Sequence, residues 1–246
     1  MTAMFDPKHY ALFVHIPKTG GQSVESVFLG FHGLSWDERA PLLLRPNDAR
    51  SQGPTALAHL FAREYVALGH MDQPTYDGLF KFAFVRNPWA RLVSEYHYRG
   101  DPNGRFDNFV ERSFKLTDLH SDRKRHVVPQ EDYLIDENGT LIVDFIGRLE
   151  TIQNDFRIVA DKLGLRVREL PHRNKSEPKQ NSNESGSFLS KLVRKRKPDK
   201  KRRPYQDYYS PALRDRVGEY YRRDVERFGY TFEGHFPTDP ISIASA

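Results

Sequence analysis

Two stretches of the chain carry side chains whose types and spacing could bind and move a charged group. The first, HIPKTGGQS, runs from His15 to Ser23. Consecutive backbone N–H groups in a glycine turn, joined to the positive end of a following helix, form a concavity for an anion. Gly20 and Gly21 permit the turn, Thr19 and Ser23 add hydroxyl donors, and Lys18 brings a full charge to the rim. The order is unlike the G-x-x-x-x-G-K-[ST] phosphate loop, because here the lysine precedes the glycines. The second stretch, FVRNPWARLVSEY, runs from Phe84 to Tyr96. Arg86 falls at the C-terminal end of an expected strand, where ligands of open α/β sheets bind. Ser94 follows two turns along the next helix, on the same broad side as Arg91. A guanidinium fork beside a hydroxyl suits a second phosphate. Each stretch also has a plain reading, a permissive turn with a solvated lysine and a structural arginine paired with Glu95. Taken together, the two point to a ligand with two separated anionic groups.

Positioning these residues requires strands that end where the polar loops begin. The run Ala11 to Ile16 is short, continuous and rich in strand formers, and reads as a buried strand. Ser23 is the expected N-cap of a helix with Val24, Val27 and Phe28 on one face. Lys81 to Val85 reads as a second strand, after which Asn87 caps a helix with Pro88 at its first position and Trp89, Leu92, Val93 and Tyr96 on its apolar side. Glu64 to Leu68 reads as a short strand ending at Gly69 and His70, and Leu141 to Ile146 as another buried strand. A helix bearing Ile152, Phe156, Val159, Ala160 and Leu163 follows and stops at Gly164. Ser210 and Pro211 start a last helical stretch. Strands alternating with helices imply a parallel sheet covered on both faces. The expected fold class is therefore α/β, a P-loop-like three-layer arrangement with a central parallel sheet flanked by helices.

Composition bounds what the site can do. The 246 residues contain no cysteine, which excludes disulfides, thiolate metal sites and thiol nucleophiles. Hydrophobic residues make up 38% and aromatics 13%, enough for one folded core. The net charge of +5 is unevenly spread, since Pro171 to Pro204 holds twelve Lys/Arg against three Asp/Glu. That segment ends in KLVRKRKPDKKRR and reads as a mobile basic insertion at about 172–204 within a single domain covering 1–246. Neither a signal peptide nor a run of roughly 18 apolar residues is present, so a soluble, cytoplasmic protein is expected.

The two motifs resemble those of sulfotransferases that use 3′-phosphoadenosine 5′-phosphosulfate. HIPKTGGQS is similar to their 5′-phosphosulfate loop, and FVRNPWARLVSEY to their 3′-phosphate motif. Further stretches, LGHMD, VVPQEDYLID, VDFIGRLETIQNDF and YYSPALRDRVGEYYRRDVERFGY, resemble the branch containing Golgi carbohydrate 2-O- and 4-O-sulfotransferases and their bacterial relatives. The chain departs from the usual pattern at Gln22, where threonine is common, and at Asn87, where aspartate is. The resemblance implies a hydroxyl acceptor, most simply a saccharide, with the donor held by Lys18, Thr19, Gly20, Gly21, Gln22, Ser23, Arg86 and Ser94, and no metal. Sulfuryl transfer resembles phosphoryl transfer with less charge on the moving group, so positioning and leaving-group stabilisation dominate. Lys18 at the front of the loop would offset charge developing on the bridging oxygen.

A base must also take the acceptor's proton, and histidine is the usual choice near neutral pH. Of ten histidines, His70 is the first candidate, because it follows a glycine after an expected strand and matches the family's Gly-His position. His15, beside the loop, is the second. Acceptor specificity is expected in the loops 32–54 and 99–125 and in parts of the basic insertion, with Tyr96, His97, Tyr98 and Arg105 as candidate lining. Two other readings stay open: a P-loop small-molecule kinase needing Mg²⁺, and a polyanion-binding module using the basic segment.

Overall fold

The computed structural model describes residues 5–6, 9–100, 104–171, 203–238 and 241. All but the last two residues of the basic insertion expected at 172–204 lie outside the described residues. Four strands form one sheet in the order β1 (Phe5–Asp6), β2 (Ala11–Val14), β3 (Phe80–Val85) and β4 (Phe145–Arg148). β1 runs antiparallel to β2, whereas β2, β3 and β4 are mutually parallel, with Val14 opposite Ala83 and Val85 opposite Arg148.

Alternation along the strands decides what covers each face. Leu12, Val14, Ala83, Val85 and Ile146 join a core that includes Phe61, Tyr65 and Tyr133. Ala11, Phe13, Phe82, Phe84 and Phe145 point the other way. There they meet α1 (Gly21–Phe31) through Val24 and Phe28, and α7 (Ile152–Lys162) through Phe156 and Val159. Both faces of the parallel strands are thus buried, as continuous apolar strand sequences require. Between the first two parallel strands lie the short helices α2 (Glu64–Ala67) and α3 (Gln73–Asp77). After β3 come α4 (Pro88–Arg99), α5 (Phe106–Phe114) and α6 (Asp122–Arg125). The C-terminal α8 (Pro211–Tyr220) packs on α4 in a separate apolar cluster around Trp89, Val110 and Tyr221, and α9 (Arg222–Phe228) follows. No helix among the described residues is long and apolar enough to cross a membrane.

Several local expectations change. Glu64–Leu68 is not a strand: residues 64–67 form a helical turn, entered through the turn Phe61–Glu64, in which Glu64 N donates to Phe61 O at 2.9 Å and Glu64 Oε2 accepts the Phe61 N–H at 2.8 Å. Such a reciprocal turn outweighs the strand propensity of so short a run. The strand expected at Leu141–Ile146 begins only at Phe145. Asp144 instead turns back on β3, its N–H donating to Lys81 O at 2.6 Å and its Oδ2 accepting the Lys81 N–H at 2.6 Å. Ser23 does not cap α1; it lies in the first turn, and Gly20 occupies the cap.

Other ends form as their sequences dictate. Asn87 Oδ1 accepts from Trp89 N and Ala90 N at the start of α4, with Pro88 at the first helical position. Asn87 also donates through Nδ2 to Thr231 O at 2.8 Å, which ties this junction to the chain beyond α9. Asn87→Ala removes the cap and leaves that carbonyl without its donor, so it is expected to lower stability by about 1–3 kcal/mol. Urea denaturation of the two proteins measures this.

Candidate active site

The loop between β2 and α1 takes a left-handed path, with φ 71° at Lys18 and 89° at Gly20. A left-handed lysine is unusual and stores strain of the order of 1–3 kcal/mol. Thr19 helps to hold it, being fully buried with its hydroxyl donating to Ile16 O at 2.8 Å; its proton therefore serves the turn. The two glycines have separate reasons. Gly20 supplies the positive φ, whereas a Cβ on Gly21 would lie 2.1 Å from His15 Nε2. No side chain caps α1, and its first turn contains no acid. The N–H groups at a helix start have no intrahelical partners, so this end favours an anion. Gln22 is exposed and Ser23 half-buried in this first turn.

Arg86 stands just past β3, beside that loop. Its Nη1 donates to Lys18 O at 3.3 Å. Its backbone is gripped by Gln130, whose Oε1 accepts from Arg86 N and whose Nε2 donates to Arg86 O, both at 2.8 Å. Ser94 is half-buried on α4. The two junctions found in the sequence therefore meet through Lys18 and Arg86 at the C-terminal edge of adjacent parallel strands.

Lys18 enters a cavity of about 410 Å³. Its Nζ lies 4.0 Å from the centre of the Tyr98 ring. Gln22, His15, His59, Asp122 and His126 share the lining. The three histidines pack edge to face, with ring centres 5.1 Å apart for His15 and His59 and 4.8 Å for His59 and His126. Each has Nδ1 2.6 Å from a carboxylate: His15 from Glu25, His59 from Asp122 and His126 from Glu95. Asp122 also lies 3.4 Å from His126 Nε2 and accepts from Arg99 at 3.1 Å.

Burial sets the protonation of this group. His59 falls from 6.5 to about 4, because desolvation of the imidazolium outweighs its hydrogen bond to Asp122, which would raise it. Burial pushes Glu25, Glu95 and Asp122 upward, yet all three end below the ordinary carboxylate range: His15 offsets it at Glu25, His126 and Arg99 at Glu95, and His59 with His126 and Arg99 at Asp122. Ligand atoms of His59, Asp122 and His126 lie within 4.8 Å of one another, near enough to hold a cation.

The sequence candidates divide accordingly. Lys18, Gly20, Gly21, Gln22 and Tyr98 line the cavity, and so does His15. His70 does not. It ends the α2 turn instead of a strand, and its Nε2 lies 2.8 Å from Gln52 O. Tyr96, His97 and Arg105 are engaged elsewhere, with Gly104 O, Tyr208 and Asp107. His59, Asp122 and Glu95 escaped the sequence reading as members of one group. His59 sits in a short 3₁₀ turn, Leu57–His59, with no motif around it, and its carboxylate partner is 63 positions away. The only forward signal was that Asp122 fell within the 99–125 loop expected near the acceptor.

Between about pH 6.5 and 4 the unfolded chain binds a proton at His59 that the folded chain refuses. Stability contributed by neutral burial of His59 is therefore present above pH 6.5 and is lost as pH falls toward 4. NMR titration of labelled histidines is expected to find one imidazole with a midpoint near 4, absent in His59→Gln.

Comparison with known proteins adds an independent finding. A family model described as "Sulfotransferase family" matches residues 1–231. An uncharacterized protein of Archaeoglobus fulgidus is 36% identical over 94 residues, covering 37% of this chain and 72% of that protein. No solved structure matches.

Proposed function

The chain belongs to the sulfotransferase family, and from that premise we propose that it moves a sulfuryl group from 3′-phosphoadenosine 5′-phosphosulfate to a hydroxyl acceptor, a saccharide by resemblance. The observation that carries this reading is the meeting of the Lys18 loop and Arg86 through the 3.3 Å hydrogen bond to the Lys18 carbonyl. The donor's two anionic ends fit these residues. The uncapped start of α1 with Gly20, Gly21, Gln22 and Ser23 suits the 5′-phosphate, and Arg86 with Ser94 suits the 3′-phosphate. Thr19 supports the turn from beneath.

Lys18 offsets the negative charge that grows on the bridging oxygen as the bond to sulfur breaks. For the base we propose His59. It shares a cavity with Lys18, Asp122 fixes its Nδ1–H, and burial keeps it neutral and ready to accept a proton. Its Nε2 has no hydrogen-bond partner among the described residues. His15 is less suited, since its Nε2 presses on Gly21, and His126 has a carboxylate facing each nitrogen. His70 remains the candidate that the resemblance favours, and paired variants separate the two.

Calorimetry is expected to find binding of adenosine 3′,5′-bisphosphate, weakened roughly 10- to 100-fold by Arg86→Ala through loss of charge-assisted hydrogen bonds. His59→Ala is expected to cut turnover by about 10²–10⁴ while bisphosphate binding survives. If His70→Ala shows that loss and His59→Ala does not, the base assignment moves to His70. Transfer in the presence of EDTA is expected to be unchanged. A requirement for Mg²⁺ would favour the kinase reading, and loss of activity restored by Zn²⁺ would assign a metal to His59, Asp122 and His126.

A further inference from the structure

His59, Asp122 and His126, which line the Lys18 cavity, form a larger group than proton transfer requires. A base and its carboxylate partner need only His59 and Asp122. His126 is unused by that reading, yet it completes a set in which one ligand atom from each residue lies within 4.8 Å of the others. Two imidazole nitrogens and one carboxylate oxygen are a donor set for zinc and its neighbours among the divalent transition metals, whereas magnesium and calcium take oxygen ligands. The chain has no cysteine to compete for such an ion.

The backbone presets this group. Asp122 and His126 are four residues apart across α6, so their side chains leave the same face. Asp122 N donates to Thr55 Oγ1 at 3.1 Å, and His126 O accepts from buried Arg91 at 3.0 Å. An outer partner orients the second imidazole. Glu95 Oε2 lies 2.6 Å from His126 Nδ1, and His126 Nε2 then lies 3.4 Å from Asp122 Oδ2. A carboxylate behind the imidazole is the arrangement that fixes the tautomer of a metal-ligating histidine. Glu95 is itself held, accepting from Arg99 Nε at 2.6 Å. Arg99 also donates to Asp122 Oδ2 at 3.1 Å, which leaves Oδ1, 2.6 Å from His59 Nδ1, for an ion. One guanidinium thus serves two carboxylates, and with neutral imidazoles one negative charge is left for a bound cation to balance. Side-chain exposures of 12% at His59 and 25% at Asp122 open the group to the cavity.

We propose that His59 Nδ1, Asp122 Oδ1 and His126 Nε2 bind a zinc-type divalent ion, and that the loaded chain is inhibited. The second half of this rests on the transfer reading given above. A neutral imidazole bound to metal through Nδ1 carries its proton on Nε2. Nε2 of His59 is then a donor, and it cannot take a proton from an acceptor hydroxyl. The ion and the acceptor's proton therefore compete for one ring, and the metal-free chain is the active one.

Cobalt(II) is the probe, because its visible absorption reports its coordination, and calorimetry gives the stoichiometry. The full chain, stripped with EDTA and dialysed, is expected to bind Co²⁺ at about one ion per chain and to release it to Zn²⁺. His126→Gln and Asp122→Asn are each expected to weaken binding by more than about 100-fold, and Glu95→Gln, which alters only the outer partner, by roughly tenfold, while His97→Gln on the exposed side of α4 leaves it within about twofold. In transfer assays Zn²⁺ is expected to inhibit and EDTA to restore the rate. No stoichiometric binding to the unaltered chain overturns the site, and so does binding that both His126→Gln and Asp122→Asn leave intact. Should a variant misfold, the unaltered chain still decides: the NMR signals of His59 and His126 must shift together as Zn²⁺ is added, and a shift of neither overturns the site. Transfer that depends on Zn²⁺ overturns the inhibition. Ion binding without any binding of adenosine 3′,5′-bisphosphate is a different result, which supports the site and refutes the transfer reading, and the inhibition with it.

Discussion

A single buried cation holds the site together. Arg91 is 1% exposed, and its guanidinium donates from Nε to Pro17 O at 3.0 Å, from Nη1 to Val128 O at 2.8 Å and from Nη2 to His126 O at 3.0 Å. A charge so enclosed is tolerable only when its hydrogens are satisfied. Here carbonyls from two distant segments do this, and the arrangement works in reverse too: the arginine fixes where those segments lie. Pro17 immediately precedes Lys18, and His126 is one wall of the cavity. The Lys18 loop and the histidine cluster are therefore registered to α4 by one side chain, and α4 follows directly from Arg86 and Asn87.

A second layer of the same logic runs through Asp224. This fully buried acid accepts from Gln130 N at 2.8 Å and Glu131 N at 2.9 Å, and Gln130 in turn clamps both backbone groups of Arg86. Burial raises Asp224 to about 6 against those hydrogen bonds and the field of Arg91, which lower it. The carboxylate thus ionises because of the backbone donors it organises. A segment near the C-terminus determines the position of an arginine at the end of β3. That gives Asp224, within the YYSPALRDRVGEYYRRDVERFGY stretch, a positioning role for Arg86.

What the sequence made legible follows from the range of each interaction. β2, β3, α4 and α7 were readable because their signals are local: continuous strand formers, Asn87 before Pro88, apolar residues at helical spacing, and a glycine stop at Gly164, φ 63°. The Lys18 loop and Arg86 were readable because each sits in a short motif at a strand end. Their meeting followed from the rule for parallel sheets. The α2 turn was misread because its decisive contact, Glu64 on the Phe61 N–H, competes with strand propensity over only five residues. β4 was displaced because Asp144 spends its side chain on β3 before the ladder begins. The histidine cluster was illegible for a different reason. His15, His59 and His126 converge from a strand end, a 3₁₀ turn and the end of α6, and nothing in the spacing of those positions encodes their contact.

The convergence has a consequence for proton transfer that a lone histidine would lack. Desolvation alone would leave His59 a poor base, because any proton it accepted would be an unpaired buried charge. Desolvation alone would equally protonate the carboxylates. With the two kinds of group packed together, Arg99 and the neighbouring imidazoles keep Asp122 and Glu95 ionised, while burial keeps His59 neutral. Asp122 then stands 2.6 Å from Nδ1 before any proton moves. In the proposed reaction, a proton passing from an acceptor hydroxyl to Nε2 would leave the new imidazolium against a carboxylate already oriented toward it, so the stabilisation would grow as the charge grows. Lys18, in the same cavity, would do the same for the opposite charge on the leaving oxygen. On that proposal the arrangement gains its strongest interactions only as the proton and the sulfuryl group move.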